Sequence, residues 1–149
     1  MEKTEFLTQE ERDLIAAAVN TAEETTAGEI RVVVVSNSKK YEGDVRKNAE
    51  EAFRKYGLQN TKDGTGVLIF LSVEERRIEI LADKGINEKV AQSTWDAMIN
   101  GLIIKIRQNG ACQGICDVVA EVGKYLTEHF PIQPDDVNEL SNEVIVETN

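Results

Sequence analysis

The feature that most constrains the fold is a pair of strand-like segments joined by a very short polar turn. Residues 66–71, GVLIFL, form a continuous apolar run that is typical of a strand buried on both faces of a sheet. After the polar turn VEER at residues 73–76, residues 77–82 alternate polar and apolar side chains. Strands joined by so few residues must lie antiparallel and adjacent. The sequence therefore predicts a hairpin at the centre of the chain.

The hairpin brings two acidic, glycine-rich turns to one edge of the sheet. Asp63 and Gly64 precede the first strand, Gly66 opens it, and Asp83 and Gly85 follow the second strand. Glycine permits backbone conformations and close approaches that other residues resist. We therefore expect a candidate site at this edge.

Helical patterns and one further strand flank the hairpin. Four helices are predicted, of which the first three begin at the capping residues Thr8, Asp44 and Asn87. The fourth helix is predicted to end at about His129. A β-branched run at residues 30–35 predicts a strand, and a weaker signal at residues 39–41 suggests another.

The order of these elements predicts the fold class. A strand, a helix and a second strand form one crossover, which makes the strands at residues 30–35 and 67–71 parallel and places Glu29 at the acidic edge. The predicted fold is α/β: a three-layer α/β/α sandwich with a small mixed sheet, one parallel βαβ unit plus an antiparallel strand, Rossmann-like. Residues 1–131 are predicted to form this domain, and residues 132–149 an acidic tail that is extended or mobile.

Composition restricts the classes of partner. The chain has 17 basic and 27 acidic residues and a net charge of −10, which opposes binding to nucleic acid or to an anionic membrane. No run approaches the roughly 18 apolar residues of a membrane span. The amino terminus has no signal-peptide pattern, so we expect a soluble, cytoplasmic protein. The identity of a protein partner stays open.

The two aspartates are the residues to which a chemistry can be assigned. Like charges brought together repel unless a cation or a proton lies between them. Calcium takes six or more oxygen ligands, so Asp63 and Asp83 would need water and carbonyl groups, here those of Gly64 and Gly85, to complete the shell, and Glu29 could add a carboxylate. Alternatively, both aspartates are turn residues that accept hydrogen bonds from nearby backbone N–H groups. The residues alone leave both interpretations open.

Other catalytic patterns are absent or incomplete in the sequence. Cys112 and Cys116 lie four apart on a predicted helix and are interpreted as core residues. The single histidine, His129, is expected at a helix end, where the dipole favours its cation. The Asp-Gly-Thr at residues 63–65 is similar to a haloacid-dehalogenase motif, but Thr61 stands where that motif needs its first aspartate.

Several segments resemble the TPM domain family, which includes thylakoid-lumen phosphatase-like proteins and photosystem II repair factors. They are DGTGVLI at residues 63–69, RRIEI at 76–80, DKGI at 83–86 and TAGEIRVV at 26–33. HFP at residues 129–131 with DVNEL at 136–140 resembles the tail of stand-alone bacterial members. The likeness covers roughly residues 7–140. It implies an α/β/α fold, an acidic pocket that can hold calcium, and an acid-phosphatase activity.

Residues and resemblance together lead to a functional expectation. We expect a TPM-type domain that binds a divalent cation, Ca²⁺ or else Mg²⁺, in an acidic pocket, with a regulatory or interaction role. The expected ligands are Asp63, Asp83, Glu29, Gly64 and Gly85. The alternative is a metal-dependent acid phosphatase acting on phosphomonoesters, for which the sequence offers no catalytic residues.

Overall fold

The chain folds around a four-stranded mixed sheet. The structure, a computed structural model, describes residues 5–134 and 142–147. Its strands are β1 (Glu29–Val35), β2 (Gly66–Ser72), β3 (Arg77–Ala82) and β4 (Ile145–Glu147). Their order across the sheet is β3–β2–β1–β4, with β1 parallel to β2 and β4, and β3 antiparallel to β2. The predicted parallel pair and hairpin are confirmed.

Helices cover both faces of this sheet. They are α1 (Gln9–Glu23), α2 (Val45–Lys55), α3 (Lys84–Asn87), α4 (Gln92–Arg107) and α5 (Ala111–His129). One apolar core joins α1, α4 and α5 to one face, and a smaller core joins α2 to the other. This is the predicted α/β/α sandwich. Among the described residues, no helix combines the length and apolar character that crossing a membrane requires.

The two central strands are buried along their whole length. Every residue of β1 and β2 is buried. Along β1, Ile30, Val32 and Val34 contribute to the core with α1, α4 and α5. Val33 and Val35 contribute to the core with α2. The continuous apolar run at residues 32–35 is what a strand with an apolar layer on each side requires.

The first two helices begin at the residues that the sequence predicts. Thr8 Oγ1 accepts a hydrogen bond from Glu11 N at 3.1 Å, and Glu11 Oε1 accepts one from Thr8 N at 2.9 Å. This reciprocal pair is a capping box. Asp44 Oδ1 accepts from Lys47 N at 3.0 Å at the start of α2. Local hydrogen bonding therefore fixes both helix starts.

Two local predictions were wrong. Asn87 does not cap the long helix, because it ends the short helix α3, and α4 begins after Ala91. The Asn87 side chain instead accepts a hydrogen bond from Trp95 Nε1 at 3.1 Å. The weak strand signal at residues 39–41 corresponds to a 3₁₀ turn, Lys39–Tyr41.

The strand β4 was not predicted from the sequence. Its three residues are too few to show a periodicity, and they lie in the segment interpreted as an acidic tail. In the structure they extend the sheet beside β1, and Ser36 N donates to Glu147 O at 3.0 Å. The Tyr56 hydroxyl donates to the Glu147 carboxylate, and Lys55 Nζ lies 3.3 Å from it. The family-like segment at residues 136–140 lies outside the described residues.

Trp95 is expected to make a large contribution to stability. Its side chain is 3% exposed and packs in the core between α4 and the sheet. Trp95→Ala should lower the free energy of unfolding by about 3–5 kcal/mol, because it leaves a large cavity. Ile104→Ala on the same helix, where the side chain is 54% exposed, should cost less than about 0.5 kcal/mol. Urea denaturation measures both, and similar losses would contradict this packing.

Candidate functional site

The turn before β2 and the turn after β3 are in direct contact, as the predicted hairpin requires. Asp83 N donates to Gly66 O at 2.9 Å, and Ile86 N donates to Gly64 O at 3.1 Å. We call these two turns, residues 61–66 and 83–86, the loop pair. The hairpin therefore brings the segments that carry Asp63 and Asp83 together at one edge of the sheet.

Glycine is required where the two turns touch. A Cβ at position 85 would overlap the carbonyl oxygen of Asp63. Gly64 has a φ of +69°, which favours glycine, and a Cβ there would lie 2.9 Å from Gly85 N. The backbones of the two turns are thus closer to each other than a side chain at position 64 or 85 would permit.

The two aspartates differ in their surroundings. Asp63 is exposed, whereas Asp83 is half-buried and caps α3, with its Oδ1 accepting from Lys84 N at 2.8 Å. The Asp83 carboxylate carbon is 3.9 Å from the position that a Cβ on Gly64 would take. Asp83 therefore makes the backbone hydrogen bond of a turn residue, and its carboxylate also lies beside the residue that follows Asp63.

Glu29 lies on the other side of β2 from Asp83. It begins β1 opposite Gly66, and its side chain is 2% exposed. Two strand spacings, about 10 Å, separate β1 from β3. The backbone of Leu58 packs so closely over Gly66 that a Cβ there would overlap the Leu58 carbonyl. The structure thus does not bring Glu29 into the loop pair.

Glu29 instead belongs to a buried carboxyl pair where α1 ends and β1 begins. Its partner is Glu23, which is 8% exposed. Glu23 Oε2 accepts a hydrogen bond from Ile30 N at 2.7 Å, and the Glu23 carboxyl is also hydrogen-bonded to that of Glu29. Burial, followed by the charge of Glu29, raises the pKa of Glu23 to about 8, although the hydrogen bond from Ile30 opposes this. At neutral pH, the raised pKa of Glu23 therefore favours one proton shared between the two carboxyl groups.

Arg31 extends this polar group along β1. Its side chain is 9% exposed, and its Cζ lies 5.6 Å from the centroid of the Tyr56 ring. Burial lowers the pKa of Arg31, while Tyr56 and the carboxyl groups of Glu23, Glu29 and Glu143 oppose that shift. Because arginine keeps its proton in proteins, its charge compensates carboxylates that would otherwise be buried alone.

Sequence reasoning missed Glu23, although a signal was present. Ile15, Val19 and Glu23 follow at intervals of four residues, and all three are buried. A glutamate on the apolar face of a helix, in the last turn where the dipole disfavours an anion, is an unusual choice. That combination indicates a buried carboxyl group with a specific partner.

A comparison with protein families identifies the chain. The family model of the TPM domain matches residues 1–125. The chain belongs to the TPM domain family. The match confirms the family suggested by the glycine-rich turn at residues 63–69 and the segments around it.

Solved structures support the same fold. The BA42 protein of the psychrophilic bacterium Bizionia argentinensis is 37% identical, with a TM-score of 0.85 over 97% of this chain and 98% of that chain. The N-terminal domain of a P. gingivalis protein is 20% identical, with a TM-score of 0.68 over 86% and 83%. The N-terminal domain of cg2496 from Corynebacterium glutamicum is 17% identical, with a TM-score of 0.61 over 89% and 81%. A search of curated proteins found no match.

Other chemical groups of this TPM domain lie outside the loop pair. Cys112 and Cys116 are half-buried free thiols on α5, and burial raises the pKa of Cys116 to about 11. His129 ends α5, as predicted. In the described part of the chain, no three His, Cys, Asp or Glu side chains form a group that could hold a metal ion. A cation at the loop pair would therefore depend on carbonyl groups and water.

The carboxyl pair should make the stability of this TPM domain depend on pH. Because the pKa of Glu23 is raised from 4.5 to about 8 on folding, the folded state holds an extra proton between these values. The stabilising effect of this proton on the folded state is complete below pH 4.5 and is lost as the pH rises through 8. Glu23→Gln mimics the protonated acid. Relative to this variant, the free energy of unfolding of the wild type should fall by a few kcal/mol between pH 5 and pH 9.

Urea denaturation at several pH values measures this difference. Glu24→Gln is the matched control, because Glu24 is exposed and adjacent in sequence. It should keep the pH dependence of the wild type. The shared proton would be disproved if the stability of Glu23→Gln fell with pH as steeply as that of the wild type.

Proposed function

We propose that this TPM domain binds a divalent cation at the loop pair, with Ca²⁺ as the preferred ion and Mg²⁺ as the second choice, and that binding has a regulatory or interaction role. The single observation that carries the proposal is the contact between the two turns. It holds the Asp83 carboxylate beside Gly64, next in sequence to Asp63.

The loop pair offers several oxygen atoms to the ion, and water would complete its coordination shell. One oxygen of Asp83 accepts from Lys84 N, and its other oxygen is available together with the exposed carboxylate of Asp63. The carbonyl of Gly64 accepts from Ile86 N and retains a second lone pair. Calcium accepts six to eight oxygens, so water must complete the shell. Because the protein supplies few ligands, we expect an affinity between micromolar and millimolar.

Charge and rigidity support the same proposal. The net charge of −10 raises the local concentration of cations. Hydrogen bonds between the turns, at 2.9 and 3.1 Å, fix the site before an ion arrives. We leave Glu29 out of the proposed ligand set, because it is 2% exposed and is engaged with Glu23.

The alternative activity is metal-dependent hydrolysis of phosphomonoesters. It would need a nucleophile or a group that activates water beside the ion. Among the described residues, the thiols and the imidazole belong to α5, and Cys112 Sγ lies 3.7 Å from the carbonyl of Glu11. We therefore expect cation binding without substantial turnover of p-nitrophenyl phosphate. If the wild type hydrolyses p-nitrophenyl phosphate and Asp63→Asn does not, the function of the site is catalysis rather than cation binding alone.

A Ca²⁺ titration followed by amide NMR resonances tests the proposal. Ca²⁺ should shift resonances of residues 63–66 and 83–86 in the wild type. Asp63→Asn should weaken binding at least about tenfold, because it removes a carboxylate ligand. Gly85→Ala should weaken it as well, although every carboxylate remains, because the new Cβ would push away the Asp63 carbonyl.

Asp96→Asn is the matched control, since Asp96 is an exposed aspartate on α4 and the charge change is the same. It should bind Ca²⁺ like the wild type. At a Ca²⁺ concentration ten times the Kd, the wild type should gain about 1.4 kcal/mol in unfolding free energy. If millimolar Ca²⁺ shifts none of these resonances, Asp83 is only the cap of α3 and the proposal fails.

A further inference from the structure

An apolar cavity with a cationic mouth lies at the other end of β2 from the loop pair. It has a volume of about 400 Å³, in the range of small-molecule sites. Its apolar wall comes from the carboxyl end of β2, the start of β3, the last turns of α4 and the segment before α1. The side chains that form this wall are Phe6, Leu71, Val73, Ile78, Ile103 and Ile106.

Three arginines surround this wall: Arg76, Arg77 and Arg107. All three are exposed, and the Arg77 guanidinium lies 3.6 Å from Glu79. Within the described residues, Arg76 and Arg107 have no carboxylate at ion-pair distance. The chain has a net charge of −10, so three guanidinium groups around one apolar cavity form a local exception. We call this feature the arginine cavity.

The turn that carries Arg76 is held rigidly. Glu75 Oε2 accepts from Ser38 N at 2.9 Å, and its Oε1 accepts from the Ser72 hydroxyl at 2.6 Å. The neighbouring Glu74 carboxylate is 3.8 Å from Lys39 Nζ. Both acidic groups of the turn are thus engaged elsewhere, so the mouth of the arginine cavity keeps its positive charge.

We propose that the arginine cavity binds a small amphiphilic anion, a carboxylate carried on an unbranched apolar chain. The apolar wall would bury the chain, and the guanidinium groups would bind the carboxylate in their planar, bidentate geometry. The cavity also lies beyond the carboxyl end of a parallel strand, where open α/β sheets commonly bind ligands. A negatively charged bilayer is a poorer partner, because the remainder of this acidic surface would be repelled.

The test uses sodium decanoate below its critical micelle concentration, followed by amide NMR resonances. Decanoate should produce saturable shifts in residues 73–78 and 103–107. Decanol, which has the same chain without the charge, should bind at least about tenfold more weakly. Raising the salt concentration should also weaken decanoate binding, because the mouth is exposed.

Arg107→Glu should raise the Kd for decanoate by about five- to tenfold, since it reverses one exposed charge at the mouth. Arg54→Glu is the matched control, because Arg54 is exposed on α2 and pairs with Glu51 rather than with the cavity. It should change the Kd by less than about twofold. The proposal is overturned if decanoate gives no saturable shifts, if decanol binds equally well, or if the two variants weaken binding to the same extent.

Discussion

The structure depends on the pairing of β1 with β2, two parallel strands with no exposed residue. Parallel pairing needs a crossover, and here α2 supplies it and covers one face of the sheet. The opposite face is then left for α1, α4 and α5. Because both strands are buried on two sides, their residues are almost all apolar, and the polar residues Glu29, Arg31 and Ser72 lie toward the strand ends. The loop pair, the carboxyl pair and the arginine cavity all lie at such ends.

The carboxyl pair shows how the fold accommodates a polar group at a buried strand end. Two buried carboxylates would strongly destabilise the folded state, so one of them keeps its proton and the other lies near Arg31. The N–H of Ile30 donates to Glu23, which ties the end of α1 to the start of β1. The same group lies close to Asn142 and Glu143, just before β4. The Glu23 carboxyl therefore joins the end of α1 and the start of β1 to the distant segment that precedes β4.

What the sequence could predict follows from the length of each pattern. The residues of β3 were predicted to the residue, because a tight turn and strict alternation define both ends of the strand. The contact between the two turns followed from the same hairpin. By contrast, β4 has only three residues, and the break between α3 and α4 lacks a proline or a glycine that would signal it. Glu29 was assigned to the correct edge but not to its partner, because strand order places an α-carbon and leaves the direction of the side chain undetermined.

The two proposed sites lie at opposite ends of β2, and this separation predicts how they interact. Seven residues of strand span about 23 Å, which is more than twice the Debye length of about 10 Å at 0.1 M salt. Both sites are open to solvent, and pairing with a strand on each side fixes the register of β2. A bound Ca²⁺ should therefore change the Kd for decanoate by less than about twofold, and decanoate should change the Kd for Ca²⁺ equally little. Paired NMR titrations at 0.1 M salt measure both constants, and a reciprocal change of fivefold or more would show that the central strand moves as a two-state element.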